Sequence, residues 1–246
     1  PYDEVTAEQR QDSKAIGFGL IYGKGTPALA EDLGVSEDEA QKKIDTFFAS
    51  KPRVEKFIND THKFVEENGY VTTLNGFRRS LTGITSTDFG VKSKAERQSV
   101  NTIIQGSGAI LTNTSLIMIQ EAFKKLGMRS VIAATVHDSV LIDAPDDEVK
   151  NTVKIALGIM THLNYPWLYV NYKGKKIRYP IEAAADIGDN YNDMVEYDEE
   201  LIDKLGLQGY IDYARKLDQL KDNFESGVIT EDQYNAVKEK LEALVK

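Results

Sequence analysis

Polar and apolar positions follow a helical period over the N-terminal part of the chain. The pattern predicts one helix over residues 6–22, a second from Ser36 until Pro52 interrupts it, and a third over 53–68 that Gly69 can end. Two glycines inside the first helix each weaken it by up to about 1 kcal/mol relative to alanine. Their presence indicates that another group approaches this helix closely.

Alternating positions over residues 70–81, centred on Asn75-Gly76, predict a β-hairpin, because this dipeptide accepts the positive φ angles of a tight turn. The polar stretch over 85–90 is typical of a loop. The longest helical pattern then covers 92–126, and two glycines inside it could bend it.

Beyond residue 126 the period changes. Apolar runs at 131–136 and 140–142 predict two buried strands joined at the polar triplet 137–139. The remaining predicted elements are a helix over 148–163, a hairpin over 167–183 around Lys173-Gly174-Lys175, and short helices over 196–246.

Charge is unevenly distributed along the chain. The net charge of −9 argues against a protein that coats nucleic acid through overall positive charge. Residues 196–246 carry 13 acidic and 7 basic side chains, whereas residues 1–195 carry 26 and 23. A basic cleft within the main part of the chain is therefore compatible with the composition.

Composition narrows the class of protein further. The chain contains no cysteine, which excludes a disulfide framework, a thiolate zinc site and a cysteine nucleophile, and which fits a reducing compartment. No apolar run approaches the roughly 20 residues that span a bilayer, and no signal-peptide pattern opens the sequence. We therefore expect a cytoplasmic protein without a membrane segment. Because the first residue is Pro1 rather than Met, we also expect a fragment, a processed product or a subunit.

The first candidate site consists of four residues at four-residue spacing, Arg10, Lys14, Phe18 and Tyr22. Each step of four advances about 40° around a helix, so the side chains form a slowly winding stripe roughly 18 Å long. A nucleoside triphosphate could lie along this stripe, with the cations on the phosphates and the rings on sugar and base. On spacing alone, two solvated cations and two core aromatic residues explain the same pattern.

The segment around these residues resembles a known motif, R-x-x-x-K-x-x-x-F/Y-G-x-x-Y-G, which is motif B of family A DNA polymerases, the DNA polymerase I family. The resemblance implies that Arg10 and Lys14 hold the incoming triphosphate, with Lys14 as the general acid for the pyrophosphate leaving group. It also implies that Phe18 packs on the sugar, and phenylalanine here is the variant associated with discrimination against dideoxynucleotides. Tyr22 and Gly23 are expected to border the nascent base pair and its DNA.

The second candidate site is the predicted junction of the two strands. A carboxylate held rigidly on a tight turn suits a magnesium ligand, although turns commonly carry Asp and Ser only for backbone hydrogen bonds. In the context of motif B, His137-Asp138 resembles motif C of the same family, usually His-Asp-Glu. The resemblance implies that Asp138 binds the catalytic metal and that His137 contacts DNA at the primer end. Ser139 departs from the family's glutamate, so we assign it no ligand role.

A third group, Arg97, Asn101 and Gln105, also recurs every four residues and by itself indicates a solvated helix face. The segment from Glu96 to Gly106 resembles the family's E-R-x-x-x-N-x-x-x-Q-G helix beside the primer-template. The resemblance implies that the three side chains bind DNA through phosphates or minor-groove acceptors. These groups look similar in all base pairs and allow contact without reading sequence.

The resemblance covers about residues 5–194. It implies an α+β fold, with the helical fingers and antiparallel-sheet palm of a right-hand polymerase followed by a C-terminal helical tail. The expected divisions are fingers at 1–90, palm at 91–195 and an acidic helical tail at 196–246.

The tail lies outside this resemblance and is predicted to be an appended helical module. Residues 217–244 are similar to short C-terminal oligomerisation helices of the SHOCT type, which makes the tail a candidate for protein-protein contact. A solvated helical hairpin explains the same sequence.

We expect the chain to be the C-terminal catalytic portion of a template-directed DNA polymerase, which extends a primer 3′ end by two-metal phosphoryl transfer. The sequence supplies one recognisable metal ligand, Asp138. Motif A, with the other catalytic aspartate, is expected to precede Pro1. The expected cofactor is Mg²⁺, with a second carboxylate from outside the chain. The expected partners are primer-template DNA, dNTP and an N-terminal polymerase half carrying motif A, the thumb and, as an open alternative, an exonuclease.

Without that half, we expect the chain to polymerise little or nothing. An alternative from another class is a non-catalytic DNA-binding or assembly subunit that retains the polymerase fold. A hydrolase built on His137, Asp138 and Ser139 is disfavoured, because neighbouring side chains on a strand turn diverge and no oxyanion motif accompanies them. The divergent Ser139 and the apparent split suggest a phage or other mobile replicon, acting in a bacterial or phage-infected cytoplasm.

Overall fold

The structure is a computed structural model that describes residues 5–243 and residue 245. The chain divides into two compact units at Ile110 and Leu111. The predicted divisions into fingers, palm and tail stay predictions.

The first unit opens with four helices and a hairpin. All three helices predicted from the periodicity are present, and α2 is an addition. It has only eight residues, which is too short a window for an apolar period to be recognised. The elements are α1 (Ala7–Ile21), α2 (Thr26–Leu33), α3 (Glu37–Ser50), α4 (Pro52–Asn68), β1 (Tyr70–Thr72) and β2 (Arg78–Ser80).

Two small cores stabilise this unit. The first joins α1, α2 and α3 through Leu20, Leu29 and Ala40. The second packs α4 against the β1-β2 hairpin, and Val65 and Val71 are at most 1% exposed. Burial of these apolar side chains therefore holds α1 on the helices that follow it.

The longest helix, α5, runs from Phe89 to Leu126 without interruption. Asp88 begins it by accepting a hydrogen bond from the Val91 backbone N–H at 3.0 Å. Its glycines do not interrupt it. A Cβ on Gly106 would lie 2.7 Å from the Thr73 methyl group, so this glycine lets the helix approach the first hairpin.

By length and apolar composition alone, α5 could cross a membrane. It meets this criterion because it contains a long stretch of uncharged polar and apolar residues, and the expectation of no membrane segment stays a prediction. Several of those polar residues form hydrogen bonds within their own unit. The Ser107 hydroxyl accepts from the Leu74 backbone N–H at 3.0 Å, and Thr114 and Tyr165 share a hydrogen bond of 2.5 Å. These bonds give polar side chains of α5 partners within their own units.

The second unit contains the remaining elements. Its strands form three separate antiparallel pairs among the described residues. The elements are β3 (Val131–Val136), β4 (Ser139–Asp143), α6 (Val149–Thr161), β5 (Tyr169–Tyr172), β6 (Lys175–Arg178), β7 (Asp186–Ile187), β8 (Val195–Glu196), α7 (Glu199–Leu205), α8 (Leu207–Glu225) and α9 (Glu231–Glu242).

The tail helices share a core with the residues before them. Ile202 and Ile211, from α7 and α8, pack in one cluster with Val153 of α6 and with Ile187 and Val195 of the β7-β8 pair. The tail is therefore part of the second unit rather than a free-standing module, because its apolar face is buried against α6.

Candidate functional site

The stripe predicted on the first helix is present. Thr6 and Gln9 form a reciprocal capping box, with both hydrogen bonds at 3.1 Å, which fixes where α1 begins. Lys14 is exposed, and so is Arg10. Phe18 is 59% exposed, which is a high value for an apolar ring that contributes to no core.

The aromatic end of the stripe forms a small platform. The rings of Phe18 and Tyr22 lie 6.4 Å apart between centroids, at an interplanar angle of 13°. Beyond Tyr22 the chain turns at Gly23, where φ is 77°. Such a value is left-handed and favours glycine.

Gly23 is also constrained by its close contact with Arg97, a member of the third candidate group. A Cβ on Gly23 would lie 2.5 Å from Cγ of Arg97. A groove of about 750 Å³ opens beside this contact, lined by Lys14, Phe18 and Tyr22 together with Arg97. Two motifs that are far apart in sequence thus line one groove within the first unit. Arg10 is not among the residues that line this groove.

The other members of the third group lie further along α5. Asn101 is half-buried, and its side-chain oxygen is buried without a hydrogen-bond partner among the described residues. Gln105 is exposed. Arg97 donates a hydrogen bond to the Ser93 hydroxyl at 2.8 Å, one turn earlier on the same helix. This bond orients the guanidinium at the groove.

The second candidate site lies at the tip of a hairpin in the second unit. Val136 pairs with Ser139, so His137 and Asp138 form a two-residue turn between β3 and β4. His137 has a φ of 55°, which is unusual for a residue other than glycine and costs about 1–3 kcal/mol. The Ser139 hydroxyl donates to the Val136 carbonyl at 2.8 Å. It does not pair with His137, so the serine-histidine pair of a hydrolase is not formed.

The prediction that these strands are buried was wrong. Residues 133–139 are all exposed, and only Ile132 of β3 is half-buried. Apolar composition favoured burial, but β3 pairs with β4 alone and little else in this unit covers it. Asp138 is consequently exposed to water in the described part of the chain.

A cavity of about 760 Å³ adjoins Asp138. It lies between β4, α6, α8 and the segment 182–194. Six carboxylates line it: Asp138, Asp143, Asp146, Glu182, Asp186 and Asp189. They are spread around the cavity, and nowhere in the described residues do three acidic or histidine side chains converge closely enough to hold a metal ion. Asp138 suits a hard cation by its chemistry, but the described residues do not complete a site.

Sequence reasoning missed the carboxylate that fixes this hairpin. Glu148, just before α6, accepts hydrogen bonds from the backbone N–H groups of Arg129 and Ser130 at 3.0 and 2.9 Å, and from the Ser130 hydroxyl at 2.7 Å. These bonds lower the pKa of Glu148 to about 2, and the largest contribution comes from the Arg129 backbone N–H. The segment entering β3 is thereby tied to α6. No sequence pattern links residues this far apart.

Lys14 belongs to the first unit and Asp138 to the second.

Comparison with known proteins decides the family. The model of DNA polymerase family A matches residues 1–193. The chain belongs to this family. The resemblance drawn from the motifs is thereby confirmed, and the α+β polymerase fold is confirmed by the solved structure described below.

Relatives of this family A chain include phage and bacterial enzymes. The DNA polymerase of Bacillus phage SP01 is 39% identical over 235 residues, which are 94% of this chain and 25% of that polymerase. DNA polymerase I of Bacillus caldotenax is 35% identical over 158 residues, which are 64% and 18% of the respective lengths. The chain thus spans a quarter or less of these relatives.

A solved structure shares the fold. The POL domain of Pol1 from M. smegmatis, in complex with DNA primer-template and dNTP, is 33% identical with a TM-score of 0.63. The match covers 65% of this chain and 28% of that chain. The family model ends before the tail, but the match to 94% of this chain in the phage polymerase necessarily includes most of the tail. The tail is therefore shared with at least one relative.

Proposed function

We propose that this chain is the C-terminal catalytic portion of a template-directed DNA polymerase, which adds deoxynucleotides to a primer 3′ end. One observation carries the proposal: Lys14, Phe18 and Tyr22 of motif B line a single groove with Arg97 of the primer-template helix. A helix that grips triphosphate must border the base pair being formed. The close approach of Arg97 to Gly23 supports this arrangement.

Each side chain has a role that its geometry supports. Lys14 and Arg10 are exposed cations on one helix, suited to the phosphates of dNTP. Lys14 also supplies a proton to the leaving pyrophosphate. The platform of Phe18 and Tyr22 offers apolar surface to sugar and base, and Asn101 and Gln105 supply amide groups for DNA.

Asp138 is proposed as one ligand of a Mg²⁺ site. Bound magnesium would supply charge neutralisation at the phosphates and activation of the primer 3′ oxygen. The described residues do not bring three acidic or histidine side chains together there. We therefore infer that motif A, from polypeptide outside these 246 residues, completes the site.

Primer extension tests the proposal directly. The chain is assayed with a labelled primer-template, dNTP and Mg²⁺, once alone and once with polypeptide that carries motif A. We expect extension only in the second reaction. Vigorous extension by the chain alone would contradict the need for an N-terminal portion.

The same assay separates catalysis from a non-catalytic role. If the chain is only a DNA-binding or assembly subunit, Asp138→Ala in the combined reaction leaves extension unchanged. Under the proposal extension is lost, while DNA binding measured in parallel persists.

A further inference from the structure

A basic hairpin in the second unit has no place in the function proposed so far. The hairpin comprises β5, β6 and the turn between them, residues 169–178. From Val149 to Ile181 the chain contains no Asp or Glu, although the whole chain has 39 acidic residues. Lys173, Lys175 and Lys176 cluster at the hairpin tip. A local positive patch on an acidic protein indicates an anionic partner.

The tip is held in a defined conformation. Tyr172 pairs with Lys175, so Lys173 and Gly174 form a two-residue turn. Their φ angles are 49° and 76°, and two positive values at these positions match the twist of a hairpin. A lysine is a costly choice there, since asparagine or glycine would adopt the angle more readily. Strain of this kind is more often found at functional positions.

The base of the hairpin is anchored. The Arg178 guanidinium donates to the carbonyls of Thr161 and Leu163, at 2.8 and 2.9 Å, where α6 ends. Leu168 is only 5% exposed. The hairpin therefore projects from a fixed base rather than from a loose loop. The Arg178 guanidinium is already hydrogen-bonded to the carbonyls of that base.

Beyond the base, the hairpin is open to solvent. Every residue from 170 to 177 is exposed, and Tyr172 is 58% exposed. Lys173 lies 5.3 Å from the centre of the Tyr172 ring. Lys173, Lys175 and Lys176 form no ion pair with any residue that the structure describes. Lys176 lies on the other face of the hairpin, 4.7 Å from the centre of the Tyr169 ring. Exposed lysines on both faces, with an exposed aromatic ring beside Lys173, match the chemistry of nucleic-acid backbones, whose phosphates bind lysine and whose sugars and bases pack on aromatic rings.

We propose that the basic hairpin binds the phosphate backbone of DNA. Lys173, Lys175 and Lys176 neutralise phosphates, and Tyr172 packs on an adjoining sugar or base. This inference rests on the proposed function, because it supposes that the chain works on DNA. It adds a contact surface outside the three motif groups.

The test measures DNA affinity of the 246-residue chain by fluorescence anisotropy over a series of salt concentrations. The probes are a labelled primer-template, a blunt duplex and a single strand. The variant combines Lys173→Asn, which suits the left-handed angle, with Lys175→Gln and Lys176→Gln. The matched control, Lys216→Gln with Lys221→Gln and Lys240→Gln, removes equal charge from the tail.

We expect the hairpin variant to bind at least about tenfold more weakly near 0.1 M salt. Its plot of log affinity against log salt should be less steep by about 0.9 for each phosphate that the variant no longer neutralises, up to about 2.7. The control should keep the wild-type slope. The probe that shows the larger loss, duplex or single strand, identifies the form of DNA bound.

A second readout uses a photo-crosslinking residue in place of Tyr172 or, as control, Val228 in the tail. Crosslinking to DNA only from position 172 supports the proposal. If wild-type chain binds DNA and the hairpin variant binds equally well, the hairpin proposal is overturned while the proposed function stands. If wild-type chain binds none of the probes, the hairpin proposal fails, and the extension reaction supplied with motif A decides the proposed function separately. Capture of an acidic protein by the hairpin in place of DNA would also overturn the proposal.

Discussion

The groove beside Lys14 and the turn that carries Asp138 differ in how far this chain completes them. At the groove, two motifs distant in sequence meet within one unit, and the missing side chain of Gly23 leaves room for Arg97. At the turn, one carboxylate stands exposed, and the other acidic groups around its cavity do not converge. The groove beside Lys14 is assembled within one unit of the chain, whereas the carboxylates around the Asp138 cavity form no convergent cluster among the described residues.

This contrast has a physical basis. Cations and rings on exposed helix faces need no partner to remain stable in water. Several carboxylates packed around one point repel each other unless a metal ion or an opposing charge offsets them. A chain can therefore carry a preformed phosphate groove, while a two-metal site requires groups contributed around the ions.

The largest expected effect comes from Asp138. In the extension reaction supplied with motif A, Asp138→Asn should reduce the rate by at least about 1,000-fold, or about 4 kcal/mol, because it removes the charge of the proposed metal ligand. Single-turnover extension measures this loss. Asp143→Asn, at the far end of β4, is the matched control and should stay within a few-fold of wild type. Equal losses of rate in both variants would show that the carboxylate at the turn has no greater part in extension than the one at the end of β4.

Much of the secondary structure that carries the two candidate sites could be predicted from the sequence. The helices before Gly69, the hairpin at Asn75-Gly76 and the strands around residues 137–139 were predicted, because period and turn chemistry are local properties. Burial of β3 was predicted wrongly, since an apolar run does not reveal whether a chain supplies enough neighbours to cover it.

Contacts between distant residues could not be predicted. The approach of Arg97 to Gly23 depends on how α1 packs near α5, and the bonds to Glu148 join segments on both sides of a hairpin. The roles of the site residues were suggested by family motifs rather than by spacing, and they stay predictions.

A substitution in the tail tests whether α8 stabilises the core that borders the Asp138 cavity. Ile211 of α8 is 3% exposed and lines the cavity that Asp138 adjoins. Ile211→Ala should lower the free energy of unfolding by about 3–4 kcal/mol, because it leaves a cavity in the shared core. Urea unfolding measures the loss, and exposed Val237→Ala should change stability by less than about 1 kcal/mol. An unaffected Ile211→Ala variant would mean that the tail does not stabilise this unit.

The packing at the groove predicts a smaller effect, a difference in stability between the Gly23→Ala and Gly34→Ala variants. Gly34 also has a positive φ, 63°, but a Cβ added there would have no atom within 4 Å, so Gly34→Ala should cost about 1 kcal/mol from backbone strain. Gly23→Ala should cost about 1–2 kcal/mol more, because its new methyl group meets Arg97. Thermal unfolding measures both.

A double variant checks the cause of that difference. Adding Arg97→Ala should remove the extra cost at Gly23 and leave Gly34→Ala unchanged. If the two glycine variants are equally destabilised from the outset, the contact between the motifs does not exist in solution.

The weakest effect concerns the fixing of the Asp138 hairpin by Glu148. Its pKa is about 2 in the folded chain against an ordinary value of 4.5, because the Arg129 N–H and the Ser130 hydroxyl donate to the carboxylate. A folded pKa below the unfolded one means that its contribution to stability is complete above about pH 4.5 and is lost as the pH falls toward 2. Glu148→Gln removes this titration, so its urea midpoint should be lower at pH 7 and should approach that of wild type near pH 2. The exposed Glu182→Gln variant should instead follow wild type at every pH. A constant gap between Glu148→Gln and wild type across that range would show that shape rather than charge holds β3 to α6.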